Sequence, residues 1–126
     1  MNNPKIICFV ATRDAVAARK FYESTLELKC VGEDPFAIVF DVGGTMLRVQ
    51  KVRELAPAKH TALGWEVADI AAQIRELEKK GVQFERFPGV PHDELGVWTS
   101  PAGAQIAWFK DPDGNILSLT EFPKAI

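Results

Sequence analysis

Short runs of apolar residues, broken by turns rich in Gly, Pro and Asp, divide the chain into alternating strands and helices. Lys5–Thr12 is rich in β-formers and predicts a first strand. The stretch from Asp14 to Leu28 has the apolar spacing of an amphipathic helix, with Asp14 as its N-cap. Three β-like runs follow, and Gly43-Gly44 predicts a hairpin turn between the last two. These runs are Lys29–Gly32, Phe36–Val42 and Thr45–Val52.

The second half of the chain repeats this order. Thr61–Val67 predicts a strand, Asp69 a second N-cap and Ile70–Lys80 a second helix, with Gly81 as its C-cap. The rest predicts β-structure at Val82–Phe87, near Val97–Thr99 and in a closing hairpin whose turn is Asp111-Pro112-Asp113-Gly114.

Both halves therefore predict the order βαβββ. Gly44-Thr-Met-Leu-Arg48-Val also aligns with Gly114-Asn-Ile-Leu-Ser118-Leu. We interpret residues 1–126 as a single domain of two related modules, about 4–52 and 60–123, joined by a linker at about 53–59. The alternative is two unrelated α+β halves.

Composition narrows the classes of function. The chain has 126 residues, of which 47% are hydrophobic and 25% charged, and its net charge is −2. This balance argues against partners such as nucleic acid or an anionic membrane, which require a basic face. No apolar run approaches the roughly 20 residues of a membrane helix, and the N-terminal residues do not resemble a signal peptide. We therefore expect a cytoplasmic protein.

Three motifs, taken in order, resemble the vicinal oxygen chelate superfamily, also called the glyoxalase/bleomycin resistance/dioxygenase fold. They are the helix with Asp14, Phe21-Tyr22 and Leu26-Glu27-Leu28, the stretch Trp65–Ile70, and the turn Asp111–Asn115. The usual form of the helix exit in the family is Leu-Gly-Leu. The resemblance implies an α+β fold in which two βαβββ modules form a curled half-barrel sheet around a cavity, with the helices outside. It also implies a homodimer.

Many members of this superfamily hold one divalent metal ion with His, Glu or Gln side chains. The matching positions here are occupied by Ile7, Arg48, Ala62 and Ser118. An aliphatic side chain has no donor atom and a guanidinium repels a cation, so we expect no metal cofactor. The open alternative is a Zn, Ni or Mn site rebuilt from His60, Gln50 and Glu121. Strand alternation favours His60 and Gln50 on the cavity face, whereas Glu121 falls on the face opposite Ser118.

Arg48 is the strongest candidate anchor for a small, partly apolar, anionic ligand, and an internal ion pair is the alternative. Aromatic side chains could line the same cavity or pack in the core. The candidate ligand-binding residues are Arg48, Phe9, Gln50, Trp65, Trp98, Trp108 and Ser118. His92 lies in a loop, where it is either solvated or an acid/base group, and no catalytic residue is assigned.

The leading hypothesis is a metal-independent protein that binds a small molecule, as bleomycin-resistance members do by sequestration. The second hypothesis is a metal-dependent lyase, isomerase or transferase of glyoxalase type that uses His60, Gln50 and Glu121. A third is an interaction module whose interior is filled by tryptophans. Whether any reaction is catalysed is left open by the residues.

Overall fold

The computed structural model describes residues 1–124, which form two compact units. The first unit contains Met1–Pro57 together with Asp111–Asn115. The second contains Ala58–Lys110 and the chain from Ile116 onward. The short segment Asp111–Asn115 therefore belongs to the first unit although both of its flanking strands belong to the second.

The first unit is a four-stranded sheet with one helix, and its strand order is β1-β4-β3-β2. Strand β1 is parallel to β4, and the other pairs are antiparallel. Its core contains Tyr22, Ile38, Phe40 and Val49, all without exposed surface. The elements are β1 (Ile7–Thr12), α1 (Ala15–Arg19), a π-helical continuation (Lys20–Thr25), β2 (Lys29–Glu33), β3 (Ala37–Val42) and β4 (Thr45–Lys51).

The first helix begins where predicted and ends earlier than predicted. The Asp14 side chain accepts a hydrogen bond from the Ala17 backbone N–H, as an N-cap does. The helix widens into a π-helix from Lys20 and stops at Thr25. Glu27 then takes a left-handed backbone conformation with φ of 57°, which cannot continue a right-handed helix.

The turn Asp111–Asn115 is held within the first unit by a buried hydrogen-bond network. The Tyr22 hydroxyl donates to Asp111 Oδ2 at 2.7 Å, and the Asn115 side-chain amide donates to the same oxygen at 2.8 Å. Asp111 Oδ1 accepts from the backbone N–H groups of Asp113 and Asn115. The Thr12 hydroxyl donates to Asp113 Oδ2 at 2.5 Å. The predicted turn therefore also forms long-range hydrogen bonds to β1 and to the first helix.

The second unit has a sheet of order β5-β9-β8-β6, with β7 also paired to β8, and one helix. Strand β5 is parallel to β9. The predicted run Val82–Phe87 forms only two residues of strand. The elements are β5 (Thr61–Glu66), α2 (Ile70–Lys79), β6 (Phe84–Glu85), β7 (Trp98–Thr99), β8 (Gln105–Lys110) and β9 (Ile116–Glu121).

Helix α2 agrees closely with the sequence pattern. Asp69 caps it by accepting from the Ala72 N–H at 3.1 Å, and Gly81 follows it with φ of 91°. Ile70, Ile74 and Leu77 are its buried residues. The α+β class predicted from the sequence is confirmed. No helix within residues 1–124 is long and apolar enough to cross a membrane.

Candidate ligand-binding surfaces

Strand alternation gives the first sheet one packed face and one open face. Val10, Leu47 and Val49 are buried on the packed side. Their neighbours along β1 and β4 point to the other side, because successive side chains alternate. We call this second side the Arg48 face, and it carries Ile7, Phe9, Ala11, Ala37, Val39, Asp41, Met46, Arg48 and Gln50.

Arg48 occupies the centre of this face. Phe9 on β1 and Val39 on β3 are its direct neighbours across the strands. Phe9 is 54% exposed and Met46 is 40% exposed. The side chain of Arg48 itself is 28% exposed, between Phe9 and Val39 on the neighbouring strands. A guanidinium with this setting can bind an anionic group that carries an apolar body.

Among residues 1–124, Arg48 forms an ion pair with Asp34, which the sequence did not suggest. Arg48 Nη2 lies 3.7 Å from Asp34 Oδ2, too far for a hydrogen bond. The other carboxylate oxygen of Asp34 accepts from the backbone N–H groups of Phe36 and Ala37 at 2.7 and 2.9 Å. These backbone hydrogen bonds lower the pKa of Asp34 most, with a smaller contribution from the Arg48 charge. Asp34 therefore stays ionised beside the guanidinium.

The second sheet has its own open face, which we call the Trp108 face. Gly64, Ser118 and Trp108 lie side by side on β5, β9 and β8. Trp98 on β7 lies on the same face, because it pairs with Ile106, two residues before Trp108. The Trp108 indole N–H donates to Thr61 Oγ1 at 3.1 Å. Of the predicted ligand-binding residues, Trp98, Trp108 and Ser118 are thus brought together on one surface.

Four rings form a continuous cluster on this surface. The centroids of Trp98 and Trp108 are 6.2 Å apart, and Phe87 meets Trp108 edge-on at 5.4 Å. His92 also meets Trp108 edge-on, at 6.0 Å. His92 Nε2 accepts from the Phe87 N–H, and Nδ1 lies 2.8 Å from the Gly96 carbonyl. Both ring nitrogens of His92 are therefore engaged with backbone groups of its own loop. This favours a structural role for His92 over an acid/base role.

Trp65 lies on the opposite face of β5 from Gly64. Its ring is stacked on that of Phe109, with centroids 6.5 Å apart and an angle of 21° between their planes. Phe109 has no exposed surface. Trp65 therefore packs with the core rather than with Trp98 and Trp108, which is the alternative that the sequence left open for each aromatic.

The residues of the alternative metal site have other neighbours. The pairing register shifts between Thr61 and Leu63, so alternation cannot be extended from Gly64 back to His60. His60 is exposed, with Nδ1 3.2 Å from the Thr61 carbonyl. Glu121 accepts from the Ile70 N–H at 2.9 Å at the start of α2, in agreement with its expected orientation away from Ser118. Gln50 is exposed on the Arg48 face of the first unit.

Two surface clefts lie elsewhere. A cleft of about 320 Å³ in the first unit lies beside α1 and includes Arg19 and Glu33. A cleft of about 650 Å³ in the second unit lies after α2 and includes Arg86 and Glu94. Neither of these two clefts is lined by Arg48 or Trp108.

Comparison with known families decides the classification. The model of the Glyoxalase/Bleomycin resistance protein/Dioxygenase superfamily matches residues 7–119. The chain belongs to this superfamily. A search of curated proteins finds no significant match.

Solved structures support the superfamily fold. A protein from Bacillus anthracis assigned to the glyoxalase family is 18% identical, with a TM-score of 0.76 and 98% of each chain covered. Lactoylglutathione lyase from Agrobacterium tumefaciens is 19% identical, with a TM-score of 0.73 and coverage of 94% of this chain and 93% of that one. A glyoxalase/bleomycin resistance protein from Catenulispora acidiphila is 22% identical, with a TM-score of 0.70 and coverage of 94% and 98%.

The superfamily's metal positions do not fit a metal ion in this chain. Ile7 and Ala62 offer no donor atom, and Arg48 brings a positive charge. Ser118 is only 7% exposed, and its hydroxyl lies against Gly64. Among residues 1–124 there is also no group of three His, Cys, Asp or Glu side chains suitable for a metal. The chemistry available at these positions is that of a guanidinium on an apolar sheet face.

Proposed function

We propose that this superfamily member binds a small organic anion with an apolar body, without a metal ion, and that Arg48 anchors the anionic group. The observation that carries this proposal is the position of Arg48: its side chain is 28% exposed, lies beside the exposed Phe9 and Met46, and is 3.7 Å from Asp34. Small-molecule sites are mostly apolar, with few polar anchors of this kind. A binding or sequestering role, as in bleomycin resistance proteins, follows from such a surface.

The Trp108 face supplies a second candidate surface. Trp98 and Trp108 offer two flat, partly exposed rings, and the Gly64 position adds no side chain to the adjoining strand. Flat rings favour a planar apolar group, because stacked or edge-on ring pairs gain about 0.5–1.5 kcal/mol beyond the area they bury. This feature supports binding of a partly apolar ligand independently of Arg48.

The metal-dependent alternative has less support. Glu121 already accepts the first N–H of α2, and His60 lies outside the regular strand pairing. Using Glu121 as a ligand would therefore remove its hydrogen bond to Ile70. The fold shared with lactoylglutathione lyase from Agrobacterium tumefaciens, at 19% identity, does not transfer that enzyme's activity.

The proposal includes a homodimer. Strand β1 lies at the edge of the first sheet, and the exposed Ile6 and Ile7 lie at its start. An exposed apolar edge strand favours association with another chain. Analytical ultracentrifugation tests this part: a dimer supports it, and a monomer at micromolar concentration contradicts it.

The test of the anchor compares Arg48→Gln with the unmodified protein, using 1-naphthoate as an anionic probe and isothermal titration calorimetry. We expect at least about tenfold weaker binding, because a charge-assisted hydrogen bond contributes about 1.5–3 kcal/mol. Arg53→Gln is the matched control, since it removes the same charge from an exposed residue outside the sheet. Binding of neutral 1-naphthamide should not change.

Equal affinity for 1-naphthoate in Arg48→Gln and the unmodified protein would overturn the anchor. No binding by the unmodified protein would overturn the binding role itself. Metal independence has its own measurement: zinc or nickel should leave the melting temperature unchanged. A preparation that retains stoichiometric metal through chelation contradicts it.

A further inference from the structure

The Asp34 carboxylate lies close to the Arg48 guanidinium but forms no hydrogen bond with it. The distance from Asp34 Oδ2 to Arg48 Nη2 is 3.7 Å, and the Asp34 side chain is 48% exposed. An exposed pair with this separation is weak, because water screens both charges. The guanidinium therefore retains donors for an incoming group, while a fixed negative charge stands beside it.

The position of Asp34 does not depend on Arg48. Its Oδ1 accepts from the backbone N–H groups of Phe36 and Ala37, in the turn that leads into β3. Such a turn holds the side chain by local backbone geometry. Oδ2 is left directed at Arg48, so the carboxylate would remain near the guanidinium when a ligand binds there.

We propose that Asp34 is a specificity-determining residue, an internal competitor for Arg48 that makes the site select monoanions over dianions. This inference rests on the proposed function of Arg48 as the anchor. In the free protein, Asp34 and Arg48 together contribute no net charge. Asp34 lowers the net attraction that the site offers to each negative charge. The hydration that an anion loses on binding grows faster than its charge, so this reduced attraction disfavours a dianion more than a monoanion.

Lys51 also lowers the pKa of Asp34, by less than Arg48 does, but it is paired more closely with Glu33. Lys51 lies 2.7 Å from Glu33, and Arg19 lies 3.0 Å from the other oxygen of Glu33. These three side chains form their own ionic cluster, in which the paired cations lower the pKa of Glu33. The carboxylate that faces Arg48 is thus that of Asp34, one residue further along the chain.

The experiment compares Asp34→Asn with Glu33→Gln by calorimetry at about pH 8, where a phosphate monoester is a dianion. Asn keeps a side-chain oxygen for the Phe36 and Ala37 N–H groups and removes the charge. Glu33→Gln removes the same charge from a residue paired with Lys51 and Arg19. The probes are 1-naphthoate, 1-naphthyl phosphate and neutral 1-naphthamide, which share one apolar body.

We expect Asp34→Asn to bind 1-naphthoate about two- to fivefold more tightly, the range given by exposed ion pairs. The gain for 1-naphthyl phosphate should be larger than that for 1-naphthoate, and 1-naphthamide should be unaffected. Glu33→Gln should change all three affinities by less than twofold. A general loosening of the surface would instead change the three probes together.

The two proposals fail in different ways. If Arg48→Gln loses 1-naphthoate binding but Asp34→Asn leaves both anion affinities unchanged, Arg48 remains the anchor and the role of Asp34 is refuted. Equal gains for the monoanion and the dianion also refute it. If the unmodified protein binds no probe, or Arg48→Gln binds as well as it does, the proposed function fails first.

Discussion

The hydroxyl of Ser118 fills the space directly above the Cα atom of Gly64 on the neighbouring strand. The two residues are paired across β5 and β9, and a Cβ atom placed on Gly64 would overlap Ser118 Oγ. The next nearest atoms, the backbone oxygen and Cβ of Ser118, would lie at 3.4 and 3.8 Å, which are ordinary contacts. A side chain at position 64 therefore conflicts with a single side-chain atom of the neighbouring strand.

Gly64→Ala should destabilise the protein by about 1–3 kcal/mol, as overpacking of a well-filled site does. The double variant Gly64→Ala/Ser118→Ala should recover most of this loss, because the clashing oxygen is gone. Urea unfolding of both single variants and the double variant measures the coupling. Additive losses would show that the Gly64 backbone, rather than the Ser118 hydroxyl, sets the requirement.

Tyr22 should make stability fall at high pH. Burial, followed by the nearby charge of Asp111 and its hydrogen bond, raises the pKa of Tyr22 well above its ordinary value of 10.0. The unfolded chain then releases the phenolic proton first. The contribution of the protonated Tyr22 to the free energy of unfolding is complete below about pH 10. Above that pH it falls by up to about 1.4 kcal/mol per pH unit.

Tyr22 is the only tyrosine, so the absorbance of tyrosinate reports this ionisation directly. Ionisation should coincide with unfolding as the pH rises, and Tyr22→Phe should remove this part of the pH dependence. The same variant should lose about 1.5–3 kcal/mol at neutral pH, since the Asp111 carboxylate loses a buried donor. Tyrosinate formed in the folded protein near pH 10 would contradict the burial of the hydroxyl.

Glu27→Gly should stabilise the protein. Glu27 has φ of 57°, a conformation that costs a residue with a side chain about 1–2 kcal/mol. Glycine relieves this strain, although its greater freedom in the unfolded chain offsets about 0.4–1 kcal/mol. The expected net gain is about 0.5–1 kcal/mol, measured by thermal or urea unfolding. Glu27→Ala removes the carboxylate but keeps the strain, so a gain equal to that of Gly would refute this explanation.

Features set by neighbours in the chain could be predicted from the sequence. Asp14 and Asp69 each cap a helix by accepting a hydrogen bond from the backbone N–H three residues later. That spacing is visible in the sequence. The tight turn at Asp111–Gly114 was equally visible. Its tie to Tyr22 was not, because the two residues are separated by 89 positions in the chain.

Features set by pairing between strands were harder to predict. Alternation gave the orientation of Phe9 and Arg48 correctly as a shared face, since β1 and β4 pair without interruption. It does not extend to His60, because the register of β5 shifts between Thr61 and Leu63. Nothing in the sequence predicts that Asp34 pairs with Arg48, because their proximity depends on the conformation of the loop before β3. The three tryptophans are alike in sequence, and only the register separates Trp65 from the other two.

The placement of Asp111–Asn115 in the first unit affects how the protein can be made. During synthesis on a ribosome, β1 to β4 are complete after Lys51, but the partner of the Tyr22 hydroxyl is added about sixty residues later. An N-terminal fragment ending at Pro57 would contain all four strands of the first sheet but would lack the carboxylate that accepts from that hydroxyl. The buried network of the first unit is therefore completed only after Asp111 has been synthesised, so cutting the polypeptide between Pro57 and Asp111 would separate Tyr22 from its hydrogen-bond partner.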